Sequence, residues 1–154
     1  AALPQHHHLF RAVSTNRSLI AEAIDVDPDA LSLDALRERA WQVMQPHYLQ
    51  RLAGLVESFG AAAAKGRGTD GLRAIAEAAV GGRVETLLIE AERLFPGHID
   101  PTSGAITTAN LAHPDVDDVL DDLGEIVLRK SGEVIVVPAE RMPTNTGVAA
   151  IYRY

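Results

Sequence analysis

From Leu33 onward, apolar residues recur at three- and four-residue steps. Leu36, Ala40, Val43, Met44, Tyr48, Leu52, Leu55 and Phe59 fall on one stripe, the pattern of a helix with a single buried face. Ser32 stands where an N-cap belongs, since its hydroxyl can accept one of the unpaired amides of the first turn. Pro46 lies inside the stretch, where it removes a donor and crowds the preceding turn. The stripe keeps its phase across it, which predicts one long kinked helix. Ala61 to Ala64 extend this helix, and Gly66-Arg67-Gly68-Thr69-Asp70 breaks it. Upstream, Gln5 to Val13 has room for about two helical turns. Ser18 to Ile24 fits strand and helix equally. Asp25 to Asp29 reads as a turn, with Pro28 pushing Asp27 out of the helical region.

Asp70 is placed to cap a further helix through Val80, with Leu72, Ile75, Ala76 and Ala79 inward and Gly81-Gly82 as its stop. The unbroken run Leu87-Leu88-Ile89 within Arg83 to Glu90 predicts a strand covered on both faces. Phe95 to Gly104 is dense in turn formers and leads into a short strand at Ala105 to Thr107. A helix opens at Pro114, with Val116, Val119, Leu120, Leu123 and Val127 on one side and acids on the other. Asp115, Asp117 and Asp118 in its first turn suit the positive end of the helix dipole, and Arg129 and Lys130 suit the negative end. Gly132 ends it. Val134 to Val137 is a second strand of the buried type, stopped by Pro138, and Val148 to Tyr154 closes the chain as a strand. The alternation predicts an α/β fold, a mixed sheet with helices on both faces, in one domain over residues 1–154.

Charge changes the picture locally. The 154 residues carry 14 Lys plus Arg against 21 Asp plus Glu, a net of -7. Six of the acids (Asp115, Asp117, Asp118, Asp121, Asp122 and Glu125) crowd into eleven residues without a Lys or Arg. Without them fifteen acids face fourteen bases, so the body is nearly neutral. This argues against broad electrostatic binding of nucleic acid, which needs an excess of Lys and Arg, though it does not exclude a small local basic site. With no cysteine there is no disulfide, thiolate nucleophile or Cys-based metal site. No run of about 18 apolar residues could span a bilayer. The start, Ala1-Ala2-Leu3-Pro4-Gln5, lacks the basic and apolar regions of a secretory signal, so a cytoplasmic location is expected.

Candidate chemistry is sparse. There is no Gly-x-Ser-x-Gly elbow, and Ser103-Gly104 is a turn dipeptide. Lys65-Gly66-Arg67-Gly68-Thr69-Asp70 lacks the spacing of a phosphate-cradling P-loop. His6-His7-His8 are ligand types, but three consecutive residues cannot all point one way on a helix, and a surface role is the plainer reading. Asp118 and Asp122, four apart, could share a hard cation; a solvated helix face explains them better. His98 and His113 sit in turns, and His47 follows Pro46 at the edge of the core. No catalytic, cofactor or metal site is expected, and no cofactor.

Several segments together nevertheless carry a resemblance. They are Leu9-Phe10, Asp29-Ala30-Leu31-Ser32, Ala40-Trp41, Pro46, Gly82 to Ile89, Phe95 with Asp100 to Gly104, Asp117 to Leu123, Ser131 to Pro138, Met142-Pro143 and Ala149 to Tyr154. In this order the chain resembles the C-terminal domain of the bacterial relatives of archaeal and eukaryotic release factors and Pelota, specifically their third family. The resemblance implies a three-layer α-β-α sandwich, related to kink-turn RNA-binding ribosomal proteins. It also implies that Tyr154 is the natural end of a longer parent, whose preceding part includes a strand just ahead of Ala1. The hydrolytic Gly-Gly-Gln loop of release factors belongs to another domain, and Gly81-Gly82 is followed by Arg83.

Three functions compete on this basis. The first is a non-catalytic docking domain of a translation- or ribosome-associated protein. It would meet a protein partner or the ribosome through Asp115, Asp117, Asp118, Asp121, Asp122 and Glu125. The second is RNA binding of the kink-turn type, for which Lys65, Arg67, Arg73 and Arg83 cluster only loosely. The third is a hydrolase with an unrecognised site, of which the His6 to His8 run would be the one distinctive feature.

Overall fold

The computed structural model describes residues 1–108 and 117–154. The chain divides into two compact units, Ala1–Arg51 and Leu52–Tyr154.

In the first unit, helix α1 (Pro4–Val13) starts with Pro4 in its first turn, where a missing amide costs nothing. Asp27 then caps a short 3-10 turn, Pro28–Ala30, by accepting the Asp29 amide at 3.1 Å. Between them, Ser18 to Ile24, which fitted strand and helix equally, is neither; an isolated bridge between Ala2 and Asp25 falls just after it. Its carbonyls at Ile20, Ala21 and Glu22 accept from the Arg11 guanidinium instead of from a ladder. Helix α2 (Leu33–Ala63) opens on Ser32, whose Oγ accepts the Ala35 amide at 3.2 Å. It is 31 residues long, with Pro46 inside it. Only the end of its stripe is fully buried, at Leu52 and Phe59, joined by Ala62.

The second unit is built on a mixed four-stranded sheet in the order β1 (Gly68–Thr69), β6 (Val148–Tyr152), β2 (Val84–Glu90), β5 (Glu133–Val137). Strand β2 pairs parallel with β5, Leu88 opposite Ile135, and antiparallel with β6, Leu88 opposite Ala149. As a central strand it is covered on both faces, which is why its apolar run does not alternate. On one face pack α3 (Leu72–Val80) and α4 (Val119–Arg129); Ile75, Ala79, Leu87, Leu120, Leu123 and Val148 form one buried cluster there. On the other, Leu88, Val137 and Ala149 are buried. There Leu55 and Ala62 of α2 line a common cleft with Thr86 and Ile151. The expected α-β-α layering is present.

Local details depart from the sequence reading. Asp70 does not cap α3: the N-cap is Gly71, with no side-chain cap, and Gly71 donates to Thr69 Oγ1 at 3.3 Å. The break at Gly68-Thr69 contains strand β1. An added Cβ at Gly68 would meet Ala63 N at 2.8 Å, so glycine is what lets the two backbones approach. The turn-rich segment holds a strand of its own, β3 (Gly97–Ile99), paired with β4 (Ile106–Thr108) in a separate hairpin. The acidic helix begins at Val119 among the described residues. Asp118 is its N-cap and Asp117 precedes it, so neither stands in the first turn, where Asp121 and Asp122 lie. Pro114, Asp115 and Val116 lie outside the described residues. Strand β6 ends at Tyr152, whose amide donates to Arg67 O at 2.8 Å.

Candidate docking face on the acidic helix

Helix α4 presents Leu120, Leu123 and Val127 inward, so its acids at 3.6-residue periodicity cannot all point one way. Asp121 and Glu125, one turn apart, are exposed, as is Asp117. Leu128, 59% exposed, continues the row, and Arg129 Nη2 meets Glu125 Oε1 at 2.5 Å.

Asp118 and Asp122 are occupied elsewhere. Asp118 Oδ1 accepts the Leu120 amide at 3.1 Å as a helix cap and the Phe95 amide at 2.9 Å from the strand side. Asp122 Oδ2 accepts the Ile99 amide at 2.8 Å and lies 2.7 Å from His98 Nδ1. Both carboxylates therefore tie the β3–β4 hairpin to the start of α4 and are only partly accessible. Asp115 lies outside the described residues. Of the six acids singled out, Asp117, Asp121 and Glu125 form the outward part of the face.

His98 is the residue that sequence reasoning missed. It looked like a turn histidine because three-residue strands are too short to show a period, yet it stands on β3 against Asp122. The His6 to His8 run does not converge: His7 is half-buried with Nε2 3.1 Å from Asp25, while His6 and His8 are exposed. His47 Nε2 is 3.0 Å from Glu22 Oε2. The Glu22 carboxyl is held below its ordinary range, first by a backbone amide and then by His47. Ser103 is a turn residue, its amide on Asp100 Oδ1 at 2.8 Å and its Oγ accepting from Ala105 at 3.3 Å.

The basic residues are drawn together more than their sequence positions suggest. Arg153 N donates to Arg83 O at 3.0 Å, and its guanidinium donates to Lys130 O at 2.9 Å. The Arg83 guanidinium lies 5.6 Å from the Tyr152 ring centre. Burial pushes the Tyr152 phenol above its ordinary value, with Arg83 opposing. Arg67, Arg83, Lys130 and Arg153 thus gather where β2 and β5 begin and β6 ends, with Glu85 and Glu133 on the same strand ends. Arg73 is exposed on α3. Among the described residues no helix is long and apolar enough to cross a membrane.

The fold is that of known release-factor domains. The C-terminal domain of a peptide chain release factor from Methanosarcina mazei superposes with a TM-score of 0.62 at 19% identity, over 85% of this chain and 98% of that one. Archaeoglobus fulgidus Pelota gives a TM-score of 0.53 at 20% identity, over 86% of this chain and 39% of that one. A model of ribosome-bound archaeal Pelota and ABCE1 gives 0.55 at 20%, over 88% and 35%. The chain therefore spans about two fifths or less of those last two, and at such identities the likeness speaks for the fold. No curated protein matches the sequence. The model of bacterial archaeo-eukaryotic release factor family 3 matches residues 1–83, more than half of the chain. The chain belongs to bacterial archaeo-eukaryotic release factor family 3.

Proposed function

We propose that this chain is a non-catalytic docking domain of a translation-associated protein that works on the ribosome in the cytoplasm. What supports the reading is the likeness over 98% of a release-factor C-terminal domain, together with a second likeness to a Pelota bound to a ribosome. The surface it would use is the outward row Asp121, Glu125 and Leu128 on α4, with Asp117 at its edge. Acids one turn apart beside an exposed leucine suit a basic partner surface with an apolar neighbour, where charge steers the encounter and burial holds it. Asp118 and Asp122 support this face from beneath by fixing α4 to the hairpin.

Sedimentation with purified bacterial ribosomes tests it. The chain should pellet with ribosomes, and the double substitution Asp121→Lys and Glu125→Lys should weaken this about tenfold with unchanged circular dichroism. A chain that stays in the supernatant at micromolar ribosome concentration sinks the reading.

One observation favours RNA as the alternative target: the gathering of Arg67, Arg83, Lys130 and Arg153 at one end of the sheet. Under that alternative, Arg67→Glu with Lys130→Glu would abolish ribosome binding while the α4 double variant would not. Binding of ribosomal RNA alone would then fall steeply with salt.

A further inference from the structure

His98 on β3, Asp117 ahead of α4 and Asp122 in its first turn come together at one point. They offer one imidazole nitrogen and two carboxylate oxygens, all within 4.8 Å of one another. We propose that these three side chains bind a divalent cation of the zinc type.

The electrostatics ask for a cation there. Two carboxylates converge, and among the described residues neither pairs with a lysine or arginine; His98 Nδ1 lies 2.7 Å from Asp122 Oδ2. The two acids are also held in place. Asp122 Oδ2 accepts the Ile99 amide at 2.8 Å and Asp117 Oδ1 accepts the Asp118 amide at 3.2 Å, so backbone donors set both carboxylates before any ion arrives. Donors around zinc at bond lengths near 2.1 Å lie about 3.4 Å apart, so the 2.7 Å His98–Asp122 pair needs to open by under an ångström and the wider separations, within 4.8 Å, to close by about 1.4 Å at most. His98 and Asp117 can make that movement because both are exposed.

The donor set selects the ion. Imidazole with carboxylates suits zinc and its transition-metal neighbours, whereas calcium and magnesium prefer all-oxygen shells with more ligands. With three protein donors, water would complete the shell. On binding, His98 takes the tautomer that carries its proton on Nε2, which frees the Nδ1 lone pair for the metal on the side facing Asp122. The ion would then strengthen the attachment of the β3–β4 hairpin to α4. This site shares Asp117 with the edge of the outward face but uses neither Asp121 nor Glu125.

Zinc titration of the metal-free chain by calorimetry tests the proposal. It is carried out in a background with His6, His7 and His8 changed to Ala, so that the histidine run cannot contribute. One zinc per chain should bind, perturbing the Ile99 and Asp118 amide resonances. His98→Ala and Asp117→Asn should each weaken binding at least tenfold with unchanged circular dichroism, and Asp121→Lys should leave it intact. Magnesium should not compete. The proposal fails if the background variant binds no zinc at 100 μM, roughly the weak end of protein metal sites, or if His98→Ala binds as well as its parent.

Discussion

The Phe95 amide donates to Asp118 Oδ1 at 2.9 Å, and the Phe95 carbonyl accepts from Val119 N at the same distance. One carboxylate thus caps α4 and fastens the chain entering β3 to it. Asp118→Ala removes the cap and strands a partly buried amide, and should cost about 2–3 kcal/mol in urea unfolding. Asp118→Asn keeps an acceptor oxygen and should cost less than half as much. Equal losses in the two variants would show that charge, not the acceptor, does the holding.

The inward and outward rows of α4 should differ as sharply in energy as in burial. Leu123 is fully buried among α3, β2 and β6, and Leu123→Ala should cost about 2–5 kcal/mol through lost transfer energy and an unfilled cavity. Leu128, on the same helix but 59% exposed, should tolerate alanine within about 0.5 kcal/mol. Denaturant midpoints of the two variants at constant slope check the pair. A large loss at Leu128 would mean that its side is covered in solution.

These contrasts show where the sequence was readable. Leu87-Leu88-Ile89 marked a doubly covered strand because a central position suppresses alternation, and Leu120, Leu123 and Val127 marked the inner face of α4 because a helix has a period. His98 left no such mark. Its importance comes from Asp122, 24 positions later, and only a folded hairpin brings the two to 2.7 Å. Asp118 was legible as an acid near a helix start, yet its second bond, to Phe95, is long-range and leaves no local trace. The six-acid stretch therefore read as one uniform face, when tertiary bonds sort it into holding and outward members.

Asp100 gives the hairpin a pH dependence. Its Oδ1 accepts the amides of Ser103 and Thr102, each at 2.8 Å, and these donors hold its carboxyl below the ordinary carboxylate value. A depressed folded-state value means the ionised form is bound more tightly in the folded state. The contribution is therefore complete above the unfolded value of about 3.9 and is lost as pH falls through the lower folded value. The Thr102 and Ser103 amide resonances should titrate together with a midpoint below about 3.9, and Asp100→Asn should flatten both. A midpoint at or above that value would mean the turn does not favour the charged form.

Gly97 tests how closely the two hairpin strands depend on an absent side chain. Its φ is +153°, and an added Cβ would lie 2.4 Å from Thr107 O and 3.0 Å from Val119 Cγ2. Neither the partner strand nor the buried start of α4 has room to give. Gly97→Ala combines backbone strain with overpacking and should cost about 2–4 kcal/mol. The damage should be local as well as global. Hydrogen exchange should accelerate first at Ile99, whose amide is held by Asp122, and at Phe95, held by Asp118. If Gly97→Ala unfolds at the same denaturant midpoint as its parent, the hairpin has moved aside and the close approach to Thr107 is not required.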